Sequence, residues 1–163
     1  MRDLKLSDLP DLERILRDTG AFTEEEVACA MELLEIVLDN PSQRDYLVAV
    51  AEVAGAVAGY VLYGPTPLTS GNVTLYWIAV SPRSQGQGVG QRLMEHVERY
   101  GQSLQGRLIC LETSSQGSYE RTRTFYSKAG YLEESCIKDF YRPGDDRITF
   151  IKRLQNQTET AVR

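Results

Sequence analysis

The chain has 163 residues, 42% hydrophobic and 25% charged, with a net charge of −5. One hydrophobic core serves a chain of this size, so a second domain is not expected, and no apolar run approaches the roughly 18 residues of a membrane span. The acidic balance argues against a nucleic-acid coat and suits a cationic substrate.

Residues 8–18 and 23–38 read as helices. The second opens with Thr23 and Glu26 at capping-box spacing, presents Val27, Met31, Leu34 and Leu38 on one face, and stops at Asn40-Pro41. Residues 46–63, rich in valine and tyrosine, predict two strands around a tight Ala54-Gly55 turn, ended by Pro65 and Pro67. "NVTLYWIAV", 72–80, has apolar residues on both alternate faces and predicts a central strand covered on each side. A helix over 88–103 follows, with Val89, Leu93, Val97 and Leu104 at helical spacing. "RLICLET" predicts another buried strand, and 118–129 a helix closed by Gly130. The rest predicts two strands around Pro143-Gly144-Asp145, with Asp145 and Asp146 as turn residues. The sequence divides into a folded domain over 1–154 and a polar tail over 155–163. Helices and strands in this order predict a layered α/β fold with helices on both sides of one sheet.

Cys29, Cys110 and Cys136 are odd in number, widely spaced and set among apolar residues, which predicts reduced, buried thiols. His96 is the single histidine and no CxxC pair occurs, so no metal site is expected. The first residues, Met1-Arg2-Asp3-Leu4-Lys5, carry no apolar stretch before a cleavage site, and a soluble cytoplasmic protein is the expectation.

"SPRSQGQGVGQRLM" places Gly86, Gly88 and Gly90 between a strand and a helix, where unpaired N–H groups and the helix dipole favour an anion. Two nucleotide motifs fail there. A P-loop needs Lys-Ser or Lys-Thr where Gln91-Arg92 stand, and a dinucleotide fingerprint needs a small residue at Gln91. The glycines alone also fit a connecting loop with unusual torsions.

The stretch resembles the acetyl-CoA signature of the Gcn5-related N-acetyltransferase (GNAT) family: a strand ending in a small apolar run, Pro82, then Gln-x-x-Gly-x-Gly at Gln85, Gly88 and Gly90. "RTRTFYSKAGYLEE" resembles that family's second segment through Phe125, Tyr126, Lys128, Gly130 and Tyr131. The resemblance implies a single mixed, mostly antiparallel sheet of six to seven strands with helices on both faces. It implies acetyl-CoA as cosubstrate, a primary amine as acceptor, no metal, no nucleic acid and no membrane, with a homodimer as a family-level expectation. Backbone groups of Ile78, Ala79 and Val80 would then hold the pantetheine arm, the Val80 amide polarising the thioester. Gln85, Gly86, Gln87, Gly88, Val89, Gly90 and Gln91 would bind the pyrophosphate. Arg83, Arg92, Arg121 and Arg123 are candidates for phosphate charge, and Tyr119 for the cofactor or the acceptor. The family's asparagine and alanine before the tyrosine are here Tyr119 and Thr122.

Joining an amine to a thioester has two proton problems. A lysine-like amine at pH 7 is neutral at a penalty of about 4 to 5 kcal/mol unless a base takes its proton, and the departing thiolate is helped by an acid. The resemblance places Tyr126 beside the coenzyme sulfur as that acid; the other reading is a core aromatic. Thr74 stands where some members carry a basic carboxylate, so the base is sought in Glu112, which resembles the fifth-strand base of the branch that acetylates ribosomal protein N-termini. The other reading of Glu112 is an exposed strand-end carboxylate. Cys110 shares its strand face and reads either as an inert core thiol or as an acetyl carrier. Phe140 and Tyr141 are candidates to roof the acceptor. The sequence thus points to an N-acetyltransferase acting on a small amine of amino-acid or polyamine type. A protein N-terminal or lysine acetyltransferase, and a non-catalytic acetyl-CoA-binding module, are the alternatives.

Overall fold

The computed structural model describes residues 1–155; the rest of the expected tail lies outside them. The strands are β1 (Arg2–Asp3), β2 (Leu47–Val53), β3 (Ala56–Pro65), β4 (Val73–Val80), β5 (Leu108–Ser114), β6 (Leu132–Arg142) and β7 (Asp145–Arg153). The helices are α1 (Leu9–Asp18), α2 (Glu24–Asp39), α3 (Val89–Ser103) and α4 (Glu120–Lys128). They form a mixed sheet in the order β1-β2-β3-β4-β5-β7-β6. The β4–β5 pair is parallel, while β1–β2, β2–β3, β5–β7 and β6–β7 are antiparallel. The chain groups into two compact units, Met1–Gly64 with Tyr76–His96, and Pro65–Leu75 with the described residues from Val97 onward.

In the first unit the expected capping box forms. Glu26 N–H donates to Thr23 Oγ1 at 3.2 Å, and Thr23 N–H donates to Glu26 Oε2 at 2.7 Å. This satisfies two donors at the start of α2. Leu12, Ile15 and Leu16 of α1 and Val27, Ala30 and Leu34 of α2 bury themselves against Val48, Val50, Tyr60 and Leu62. Asp8, at the entry to α1, is buried because Arg2 forks onto both its oxygens at 2.7 and 2.8 Å. Those charge-assisted bonds and the Lys5 amide hold its carboxyl below the usual range.

β2 and β3 join through Ala54 and Gly55, both at positive φ, the geometry of a tight hairpin. β3, rather than β4, is the strand buried on both faces: Ala58–Gly64 are all buried, whereas β4 alternates and leaves Tyr76 exposed. Gly59 is required where the strands approach, since a Cβ there would lie 2.5 Å from the Ala79 carbonyl oxygen.

In the second unit β5 lies between β4 and β7, with Val73 opposite Ile109 and Glu112 opposite Thr149. Three sequence expectations change across the chain. Leu104 lies past the end of α3 and is 39% exposed rather than on its buried face. β1 is a two-residue strand that periodicity did not reveal, because two residues carry no period. All three cysteines are free, but Cys29 and Cys136 are exposed and Cys110 is half-buried. Cys29 falls on the outer side of α2, and Cys136 on the exposed β6.

Candidate active site

The first unit supplies the backbone candidates. Ser81 N–H donates to the Ala58 carbonyl on β3 at 2.8 Å, and the Ala79 carbonyl lies against Gly59. Backbone groups alternate along a strand, so those of Ala79 face β3, whereas those of Ile78 and Val80 face the opposite edge. This divides the three predicted residues. Ala79 turns its backbone groups to β3, and Ile78 and Val80 turn theirs to the other edge of β4.

Beyond β4, Pro82–Ser84 make one 3₁₀ turn, and the chain enters α3 at Val89. Gly86 and Gly88 both have φ of 75°. A Cβ at Gly86 would meet nothing within 4 Å and one at Gly88 only the Arg92 guanidinium at 4.0 Å, so glycine is needed for torsion rather than space. The Gln85 amide points to the Val80 carbonyl at 3.5 Å, Gln87 donates to the Arg83 carbonyl at 3.0 Å, and Gln91 donates to Glu95 at 3.0 Å. These side chains brace the loop and helix. The first bond back into the loop is Arg92 N–H to the Gly88 carbonyl at 3.0 Å, so the amides of Val89, Gly90 and Gln91 precede the first intrahelical donor. An exposed turn with left-handed glycines ahead of first-turn amides fits a pyrophosphate. Arg83, in the 3₁₀ turn just before it, is exposed.

The second unit supplies the side-chain candidates. Tyr126 is 5% exposed and enclosed by Phe125, Tyr131 and Phe150, with ring centroids at 5.6, 6.3 and 5.9 Å. Its hydroxyl makes no hydrogen bond to another described residue. Burial raises its pKa above that of an ordinary phenol, so it holds its proton throughout the neutral range.

Glu112 ends the open face of β5, its side chain 45% exposed, with Arg147 Nη1 3.4 Å from its carboxylate. Arg147 also lies over the Phe140 ring at 4.2 Å, and Phe140 meets Tyr141 edge-on at 5.1 Å. The predicted base and the two predicted roof aromatics therefore belong to one cluster organised by Arg147. Arg147 lies in no sequence motif; its signal is the strand register, which puts it two residues from Thr149, the partner of Glu112. Cys110 shares the face of Glu112, and burial, followed by the Glu112 carboxylate, raises its thiol pKa. That disfavours a thiolate and agrees with the inert reading.

One reading is corrected. Asp145 and Asp146 are more than turn residues. Asp145 is buried and accepts the Ser114 hydroxyl at 2.5 Å, while Asp146 accepts Lys138 at 2.7 Å and the Asp139 amide at 3.0 Å. The ammonium of Lys138, first, and the Asp139 amide hold the Asp146 carboxyl below its usual range. Arg123 donates through Nη1 to the Ser114 carbonyl at 2.7 Å and the Gln116 carbonyl at 2.9 Å, which ties α4 to the end of β5. Tyr119, half-buried, closes the Gly117–Tyr119 turn just before α4.

The acetyltransferase (GNAT) domain family matches residues 44–133, more than half of the chain. The chain belongs to the GNAT family. An uncharacterized N-acetyltransferase of Methanocaldococcus jannaschii is 32% identical over 108 residues, covering 66% of this chain and 66% of that relative. A structure described as a GNAT-family acetyltransferase of Desulfovibrio desulfuricans shares 38% identity with a TM-score of 0.89, covering 95% of this chain and 98% of that one. An aminoglycoside 6′-N-acetyltransferase solved with coenzyme A shares the fold, with a TM-score of 0.73 at 17% identity over 96% and 97% of the two chains. Membership makes the chain an acetyltransferase that uses acetyl-CoA, and leaves the acceptor open. Among the described residues, no cluster of His, Cys, Asp and Glu could hold a metal, and no helix is long and apolar enough to cross a membrane.

Proposed function

We propose that this GNAT acetyltransferase acetylates a primary amine on a small molecule of amino-acid or polyamine type, with Tyr126 as proton donor to sulfur and Glu112 as acceptor of the amine proton. Acetyl-CoA supplies an activated thioester whose carbonyl the amine attacks. The carbon–nitrogen bond forms, the carbon–sulfur bond breaks, and a proton must leave nitrogen while another reaches sulfur. A phenol kept neutral by an apolar wall has its proton to give, which supports the donor role, and the same low polarity raises the proton affinity of a departing thiolate as well. Glu112 is exposed enough to meet an incoming amine, and Arg147 fixes its direction. The Val80 amide, directed away from β3, supports a role in stabilising negative charge on the thioester oxygen. Amides from Gly86 to Gln91 would meet the pyrophosphate, with Arg83 nearby in sequence.

The observation that carries the acceptor class is the brevity of the connections. The stretches without helix or strand over 40–46 and 66–72 are short, and none of the described residues forms an inserted element that would bind an extended peptide. The net charge of −5 adds a mild preference for a cationic acceptor. Acetylation of a protein N-terminus or lysine is the second reading, favoured by Glu112 on β5 in combination with Tyr126. Coenzyme A release from acetyl-CoA, measured against amino acids, polyamines and N-terminal peptides, separates the two. Turnover with the small amines is expected; turnover with peptides alone would replace the first reading by the second.

A further inference from the structure

We propose that Glu98 and Lys152 are positioning residues that aim the Tyr126 phenol by way of Tyr131. The proposal rests on reading Tyr126 as the proton donor. α4 has nine residues, too few to hold a helix end by its own hydrogen bonds, so its last turn needs anchors from elsewhere. Those anchors are a single polar cluster. Lys152 Nζ, from β7, donates to both Glu98 carboxylate oxygens at 2.9 Å and to the Ala129 carbonyl at 3.0 Å. Three hydrogens meet three acceptor atoms, so the ammonium is saturated. It also sits at the negative end of α4, where a cation is favoured.

From this clamp the geometry runs directly to Tyr126. Glu98 Oε1 accepts the Tyr131 hydroxyl at 3.3 Å, and the Lys152 ammonium stands 5.6 Å from the Tyr131 ring centroid. Tyr131 is 1% exposed. Its amide donates to the Tyr126 carbonyl at 3.0 Å, and its ring packs against the Tyr126 ring. Backbone and ring of Tyr126 are thus both held by the residue that Glu98 and Lys152 hold. The chain reverses between them at Gly130, where φ is 87°. Neither Glu98 nor Lys152 touches Tyr126 itself, so their effect passes through Tyr131. The pair is largely shielded, at 15% and 29% side-chain exposure, so solvent screens it less than a surface pair.

A double-mutant cycle tests this. Lys152→Met should lower kcat about tenfold, as displacement of a catalytic group by a fraction of an ångström does. KM for acetyl-CoA should stay within about twofold, because the bonds of Glu98 and Lys152 go to each other, to Ala129 and to Tyr131, none of them assigned to cofactor binding. Lys152→Arg should recover most of the rate. In a Tyr126→Phe background, Lys152→Met should change kcat no further, since the group it aims is already gone. An equal loss of kcat in both backgrounds would overturn the proposal. Tyr131→Phe, which removes only the link to Glu98, runs the same cycle should Lys152→Met fail to fold. Ring signals of Tyr126 in ¹³C-tyrosine protein, assigned by the Tyr126→Phe variant, give a readout independent of chemistry. They should move in Lys152→Met and return in Lys152→Arg; unmoved signals overturn the positioning role. Moved signals combined with full activity of Tyr126→Phe would instead overturn the donor reading and leave the clamp standing.

Discussion

The glycine turn ahead of α3 and the aromatic shelf around Tyr126 are built in opposite ways. In the turn, side chains serve the loop itself: Gln87 binds the Arg83 carbonyl and Gln91 binds Glu95, while left-handed glycines leave first-turn amides as the groups offered outward. On the shelf, the group proposed to react is one side chain, and the backbone is spoken for, with the Tyr126 carbonyl taken by the Tyr131 amide. A backbone site depends on torsion and tolerates change in its side chains. A side-chain site depends on its packing partners and tolerates none at the reacting atom. Substitutions can therefore break the two regions in different kinetic constants.

The largest effect is expected at the shelf. Tyr126→Phe retains the ring and its apolar contacts and removes only the proton, so kcat should fall by about 10² to 10⁴, the usual contribution of a general acid. KM for acetyl-CoA should barely move. A variant that keeps full kcat on a verified amine would return Tyr126 to the role of a core aromatic. Glu112→Gln should come next, with a rate loss of about 10² at pH 7. That loss should shrink as pH rises toward the pKa of the acceptor amine, where the amine deprotonates in water. A loss independent of pH would refute the base.

Gly88→Ala addresses the other region. Placing a Cβ at φ 75° costs about 1–2 kcal/mol, so the turn should shift, and acetyl-CoA affinity should weaken by roughly 5- to 30-fold with kcat little changed at saturation. A fall in kcat alone, at unchanged affinity, would erase the contrast between the two regions.

The same contrast explains what was legible in the sequence. The capping box of α2, the Ala54-Gly55 hairpin and the glycine turn are local devices, decided by neighbours within a few residues, and each was readable. The place of Tyr126 near the end of α4 was readable because it sits inside a contiguous segment, Phe125 to Tyr131, that resembles a family motif. The partners of these residues were not. Arg147 reaches Glu112 across 35 positions (147 minus 112), and Lys152 reaches Glu98 across 54. Both contacts depend on the β5–β7 register and the packing of α3, which periodicity does not encode. Cys29 and Cys136 misled for a related reason. Apolar neighbours predict that a segment is buried, but not which residue of it faces out.

The smallest effect belongs to Arg123, whose two readings predict opposite constants. A phosphate contact would contribute a charge-assisted hydrogen bond, and its loss would raise KM for acetyl-CoA about 10- to 100-fold. The observed bonds go instead to the Ser114 and Gln116 carbonyls, the first of which belongs to the last residue of β5. Removing the guanidinium leaves those carbonyls to water at a cost of about 1–2 kcal/mol, because the site is only half-buried. Arg123→Met should accordingly lower Tm by a few degrees, at about 2–4 °C per kcal/mol for a chain of this size. KM for acetyl-CoA should remain within about twofold. Thermal unfolding and an acetyl-CoA titration on one preparation decide the matter: a large KM effect with unchanged Tm would give Arg123 back to the cofactor, and a lower Tm with unchanged KM leaves the cofactor site to the backbone of the glycine turn.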